Sequence, residues 1–209
     1  MKHLIKTSLL LMALCMPVSA MAYDFIVDGI YYLDDWGESA IVCEAGEGGL
    51  YSGDITIPES VTYDGTTYPV KRIGAYAFNN CTELTSVTIP ATVIEISDHA
   101  FENCSVLSSV NIPDAVTVIG PSAFKDCAAL TKINIPAKVA EIKIWAFENC
   151  TSLTDVYCYI ADPSSITVYG IFTLESENYA HRTLHVPAGA LGAYKAAGWD
   201  EFFGNIVEM

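Results

Sequence analysis

The chain has 209 residues, 52% of them hydrophobic, with 25 acidic against 10 basic side chains and a net charge of -15. So acidic a surface repels phosphate backbones, which argues against a nucleic-acid partner. Beyond residue 22 no stretch is apolar for long enough to span a bilayer, and the length suits one sizeable domain.

Residues 1–22 read as a secretory signal. Lys2 and Lys6 give a positive start, Leu4 to Val18 is mostly apolar, and Ala20-Met21-Ala22 is the small-x-small pattern that a signal peptidase cuts. Cys15 follows Leu14, where a lipoprotein signal needs a small residue, so cleavage is expected rather than lipidation. Residues 23–54 form the expected N-terminal cap. From Tyr23 to Cys43 apolar and polar residues alternate around Asp28-Gly29, a strong hairpin signal. The acidic, glycine-rich stretch Glu44 to Gly53 reads as a loop. Its Gly46-Glu47-Gly48-Gly49 run lacks the lysine and helix context of a phosphate loop.

Residues 55–187 carry a repeat. Ala100-Phe101-Glu102-Asn103-Cys104 returns as Ala146 to Cys150, with variants at Ala77 to Cys81 and Ala123 to Cys127, one every 23 residues. Each unit reads L-x-x-V-x-I-P-x-x-V-x-x-I-x-x-x-A-F-x-x-C. V-x-I is a short strand with alternate side chains inward, and proline, which lacks an amide hydrogen, ends it. V-x-x-I makes a second extended segment. A-F-x-x-C puts three apolar side chains on one side of about one helical turn, so a short helix or 3₁₀ turn is expected there. No unit can bury these residues alone. Stacked units bury them as continuous columns, roughly 4.8 Å apart where strands pair.

The period is interrupted twice. Near residues 62–70, Asp64-Gly65 between two alternating runs predicts a hairpin protruding from the coil. The irregular segment 159–182 precedes a last strand, Leu184 to Val186. Residues 188–209 then read as a C-terminal cap, with a short helix over Ala190 to Ala197 and a lid of Phe202, Phe203 and Ile206.

Four of the six cysteines beyond the signal keep the period. Stacked equivalents point their Cβ atoms in parallel, so buried reduced thiols acting as small apolar residues are expected. The sequons at Asn80, Asn103 and Asn149 lie beside those cysteines and read as coincidence.

The 23-residue unit, A-F-x-x-C-x-x-L-x-x-V-x-I-P, and the ending Val186-Pro187-Ala188-Gly189-Ala190 resemble the BspA-like leucine-rich repeat family of bacterial surface and exported proteins, often of the Bacteroides type. The resemblance covers nearly everything beyond the signal. It implies an α/β repeat solenoid, a leucine-rich-repeat-like right-handed stack of about six coils with short strands and short helical turns. An N-terminal β-hairpin cap and a C-terminal helical cap close it. It also implies export to the cell surface, periplasm or outside, and adhesion to a host matrix glycoprotein, another bacterial surface protein or a glycan.

No H-E-x-x-H, G-x-S-x-G or C-x-x-C occurs, so no catalytic, cofactor or metal residue is assigned and no enzyme activity is expected. His181 and His185 have i, i+4 spacing, but His185 falls in the last strand, which does not favour a zinc pair. Asp34-Asp35 and Glu38 lack the alternating oxygen ligands of a calcium loop. The outward residues are better candidates for binding. Asn111, Asn134 and Tyr157 face out from the strands, Tyr76, His99 and Trp145 stand just before the Ala-Phe pairs, and Tyr159 follows the last regular strand. Tyr169 and Phe172 are candidates to join the aromatic end. Aromatics give large contact area at low entropy cost, which favours the C-terminal end as the contact site. The alternative is a structural or assembly subunit with no independent ligand.

Overall fold

The computed structural model describes residues 23–46, 49–168, 170 and 181–209. The chain opens as an antiparallel meander of β1 (Phe25–Val27), β2 (Ile30–Asp34) and β3 (Ala40–Val42). Asp28 (φ 50°) and Gly29 (φ 78°) take the positive angles that a two-residue hairpin turn demands. β3 then pairs in parallel with β6 (Thr66–Ile73), so the cap is continuous with the stack.

Each coil contributes two strands, as the V-x-I and V-x-x-I segments predict. The V-x-x-I strands β8 (Glu95–Ile96), β10 (Val118–Ile119), β12 (Glu141–Ile142) and β14 (Thr167–Val168) continue the sheet from β6 in parallel and without slippage. Ile96, Ile119 and Ile142 therefore fall in one buried file. The V-x-I strands make the opposite face in two ladders. One runs β4 (Gly53–Thr56), β7 (Leu84–Thr88), β9 (Ser109–Val110). The other runs β11 (Lys132–Ile135), β13 (Asp155–Cys158), β15 (Thr183–Val186), β16 (Asn205–Glu208).

A third backbone ladder replaces the helical turn expected at A-F-x-x-C. Tyr76, Phe78 and Asn80 N–H groups donate to the carbonyls of Asp98, Ala100 and Glu102 in the next coil (3.0, 2.7 and 2.8 Å). The N–H groups between them fold back three residues within their own turn, Ala77 to Gly74 and Asn79 to Tyr76. The same pattern returns at Phe101 and Phe124. Left-handed residues at both ends of the turn, such as Tyr76 (φ 59°) and Asn80 (φ 60°), prevent a helix from propagating. The protein is accordingly strand-rich. Among the described residues the α-helix is α1 (Leu191–Ala196), with 3₁₀ turns at Pro163–Ser165 and Trp199–Glu201.

The core is one continuous cluster. Phe78, Phe101, Phe124 and Phe147 stack at centroid separations of 5.0, 5.1 and 5.4 Å with rings within 4° of parallel. Their even spacing is the coil rise itself. Tyr51, from the acidic loop, lies over the first ring at 4.7 Å and donates its hydroxyl to the Cys43 carbonyl (2.9 Å). At the far end Tyr194 of α1 donates to the Ile160 carbonyl (2.7 Å) and meets Trp199 edge-on. Arg182 and Glu148 are buried there too, and their charges interact.

Two details depart from the sequence expectation. The 62–70 insertion is a hairpin, β5 (Ser60–Tyr63) with β6, but it folds back on the cap instead of standing free. Tyr63 stacks on Phe25 at 4.7 Å, and Val61 is buried. The C-terminal cap is more than a helix and lid, because β16 adds a parallel strand to β15 after α1.

Candidate binding surfaces

The contact residues proposed from sequence fall on two separate faces. Asn111, Asn134 and Tyr157 lie on the V-x-I strand face. Tyr76, His99 and Trp145 form a column on the turn face. Tyr159 sits at the corner after β13, 48% exposed, its N–H bonded to the Ile135 carbonyl (2.9 Å). Tyr169 and Phe172 lie outside the described residues.

On the strand face, parallel register places Asn134, Tyr157 and His185 side by side, with Lys132, Asp155 and Thr183 in the neighbouring row. Tyr157 and His185 stack at 4.2 Å, rings 10° from parallel. His185 Nε2 contacts Asp155 Oδ1 at 2.7 Å, and Thr154 donates its hydroxyl to the other carboxylate oxygen (2.8 Å). Those two hydrogen bonds, His185 first, hold the Asp155 carboxyl below its ordinary value. The result is a patch whose ring orientations are fixed before any partner arrives. His185 was legible as a member. The pattern Thr183-Leu184-His185-Val186 puts it in the same outward position as Tyr157.

Asn111 has a different occupation. Its Nδ2 donates to the Ile89 carbonyl (2.9 Å) and its Oδ1 accepts from the Ile89 N–H (2.8 Å). In a coil without proline, the residue after the strand performs the first task, as Tyr159 does for Ile135. Pro113 has no N–H to offer, so the Asn111 amide stands in for the missing ladder bond. β9 and β11 do not pair, and the strand face divides at this coil.

On the turn face, Tyr76 and Trp145 are 47% and 45% exposed, and Tyr76 stacks on His99 at 4.7 Å. His99 Nδ1 lies 2.8 Å from Glu102 Oε2. Glu102 also accepts from Asn79 (3.2 Å) and lies 3.6 Å from the Lys125 ammonium. Ser122, between His99 and Trp145 in the column, is buried. Sequence reading missed the exposed Trp36, which stands at the β2–β3 tip with φ 56°. Asp34 and Asp35 in that tip turn their carboxylates onto the Gly37 N–H, the Ser39 hydroxyl and the Arg72 guanidinium.

Parallel strands on two faces, a stacked phenylalanine file and a polar exterior define a leucine-rich repeat solenoid. The chain belongs to the BspA-type leucine-rich repeat family, whose model matches six copies over residues 53–168. It is similar to a leucine-rich repeat protein from Bacteroides capillosus, 33% identical over 64% of this chain and 96% of that one, with a TM-score of 0.57. It is also similar to the leucine-rich repeat protein of T. pallidum, at 26% identity, 79% and 72% coverage and a TM-score of 0.61. A leucine-rich cell surface protein from Faecalibacterium prausnitzii is 26% identical over 92% of this chain and 52% of its own length, with a TM-score of 0.58. No match is found among the curated proteins.

Proposed function

We propose that the chain is an exported binding module of the bacterial surface. Residues 1–22 direct export, and the partner is a host matrix glycoprotein or another bacterial surface protein or glycan. Family membership and the likeness to a cell surface protein support the location. The Tyr157–His185–Asp155 patch is the observation that carries a binding role. Two rings and a carboxylate held in register lose little entropy on contact, as an interface anchor requires.

The test is binding of the chain from Tyr23 onward to immobilised matrix glycoproteins and to intact bacterial cells. Replacing Tyr157 and His185 together by alanine is expected to weaken binding by about tenfold, the loss of one good anchor. The melting temperature should be preserved. Full binding by a folded variant would remove this patch from the function.

A further inference from the structure

The asparagines beside the core cysteines recur for a backbone reason and leave a surface behind. Asn80, Asn103, Asp126 and Asn149 all have left-handed backbones, with φ between 53° and 62°. Asparagine and aspartate are the non-glycine residues that tolerate this best. Their side chains consequently project from every turn in the same direction. Asn103 Nδ2 donates to Asn80 Oδ1, and Asn149 Nδ2 to Asp126 Oδ1, both at 2.9 Å. Beside this file run Thr82, Ser105, Ala128 and Thr151, and the two files line an open groove of about 670 Å³ crossing four coils.

We propose that this groove binds a neutral, extended, β-1,4-linked glycan. The groove offers amide and hydroxyl groups, which suit a ligand that is itself a row of hydroxyls. Each asparagine amide has two donor hydrogens, and the ladder uses one from Asn103 and one from Asn149. The polar groups repeat with the coil rise of 5.0–5.4 Å marked by the phenylalanine stack. An extended β-1,4-linked chain advances by a similar step per sugar, with successive sugars turned over, so each coil meets one sugar and alternate coils meet the same edge. Asp126 in the file and a net charge of -15 repel sulfated or carboxylated chains and leave neutral ones. The groove lies on the turn face, so it goes beyond the strand-face contact proposed above.

Calorimetric titration with cellohexaose, chitohexaose and mannohexaose tests it, with a heparin hexasaccharide as the anionic comparison. At least one neutral hexasaccharide is expected to bind and the heparin fragment is not. Asn103→Gly with Asn149→Gly deletes two amides and retains the left-handed backbone, so the fold survives. That variant is expected to lose affinity by about tenfold or more. The Tyr157→Ala, His185→Ala variant should bind the glycan as the parent does. The proposal is overturned if none of the three neutral chains binds, if the glycine variant binds as the parent does, or if the heparin fragment binds best. Loss in the strand-face variant instead would assign the glycan to the other site.

Discussion

Two columns of residues hold backbone angles that most amino acids avoid: Tyr76, His99, Ser122 and Trp145 at one end of the turn, and Asn80, Asn103, Asp126 and Asn149 at the other. The second column is chemically suited to its conformation. The first mixes histidine, which also tolerates it, with tyrosine, serine and tryptophan, and the ladder of N–H groups holds the backbone there. Asn103→Ala should therefore lower stability by about 1 kcal/mol, the cost of placing a Cβ-bearing residue without a helpful side chain in that region. Asn103→Gly should lie closer to the parent, since glycine pays no such steric cost. Thermal denaturation of the two variants is the check, and equal melting temperatures would mean that strain is not what selects asparagine. Sequence alone showed these asparagines only as coincidental sequons, because a motif of identities carries no torsion angles.

At the scale of one element, the A-F-x-x-C turn binds the coils by two means at once. Its backbone donates forward, and its phenylalanine stacks on both neighbours. Phe101, fully buried with a ring on either face, is the position where both are lost together. Phe101→Ala should cost about 3–5 kcal/mol, combining transfer and cavity terms. Urea denaturation measures it, and a loss below about 1 kcal/mol would show that the file collapses around the gap. The strands and both Asp-Gly hairpins were legible because alternation and left-handed turn residues are local signals. A short helix or 3₁₀ turn was expected because Ala77, Phe78 and Cys81 have the spacing of a helical face, and the three-residue bonds are present without running on into a helix. The same spacing also serves successive turns closed at Tyr76 and Asn80. β16 was missed because Asn205–Glu208 lacks the repeat consensus. Its conformation is set by β15, with which it pairs through Leu184 and Ile206. On the strand face, alternation identified Asn134 and Tyr157, while the Asn111 bonds depend on Pro113 and Ile89 in two different coils. The two columns were legible, but grouping Trp145 with Tyr157 as one aromatic end was not sound, because which face each column occupies follows from where each coil bends.

For the molecule as a whole, the cysteine column decides how the stack responds to pH. Cys104, Cys127 and Cys150 do not point at one another. Each thiol aims at the carbonyl of the phenylalanine in the preceding coil, Phe78, Phe101 and Phe124, at 3.0, 3.2 and 3.1 Å. Cys43, Cys81, Cys104, Cys127, Cys150 and Cys158 are all free and buried. Burial, the largest cause in every case, pushes Cys81 up to about 11 and Cys43 and Cys150 up to about 12, from an ordinary 9.0. A raised folded value means that the unfolded chain releases protons first. Stability from these groups is complete below pH 9.0 and falls as pH climbs towards 11–12. The slope approaches about 1.4 kcal/mol per pH unit for each thiol. The melting temperature should thus be flat from neutral pH to about 9 and drop steeply above it. Replacing Cys104, Cys127 and Cys150 by alanine should flatten the alkaline limb, which separates their contribution from that of tyrosines and lysines. A thiol reagent should find none of the six in the native chain at neutral pH and all six after denaturation without reductant. Recovering two or fewer would mean that the column is oxidised, and an alkaline limb unchanged by the alanine replacements would mean that the thiols do not set it.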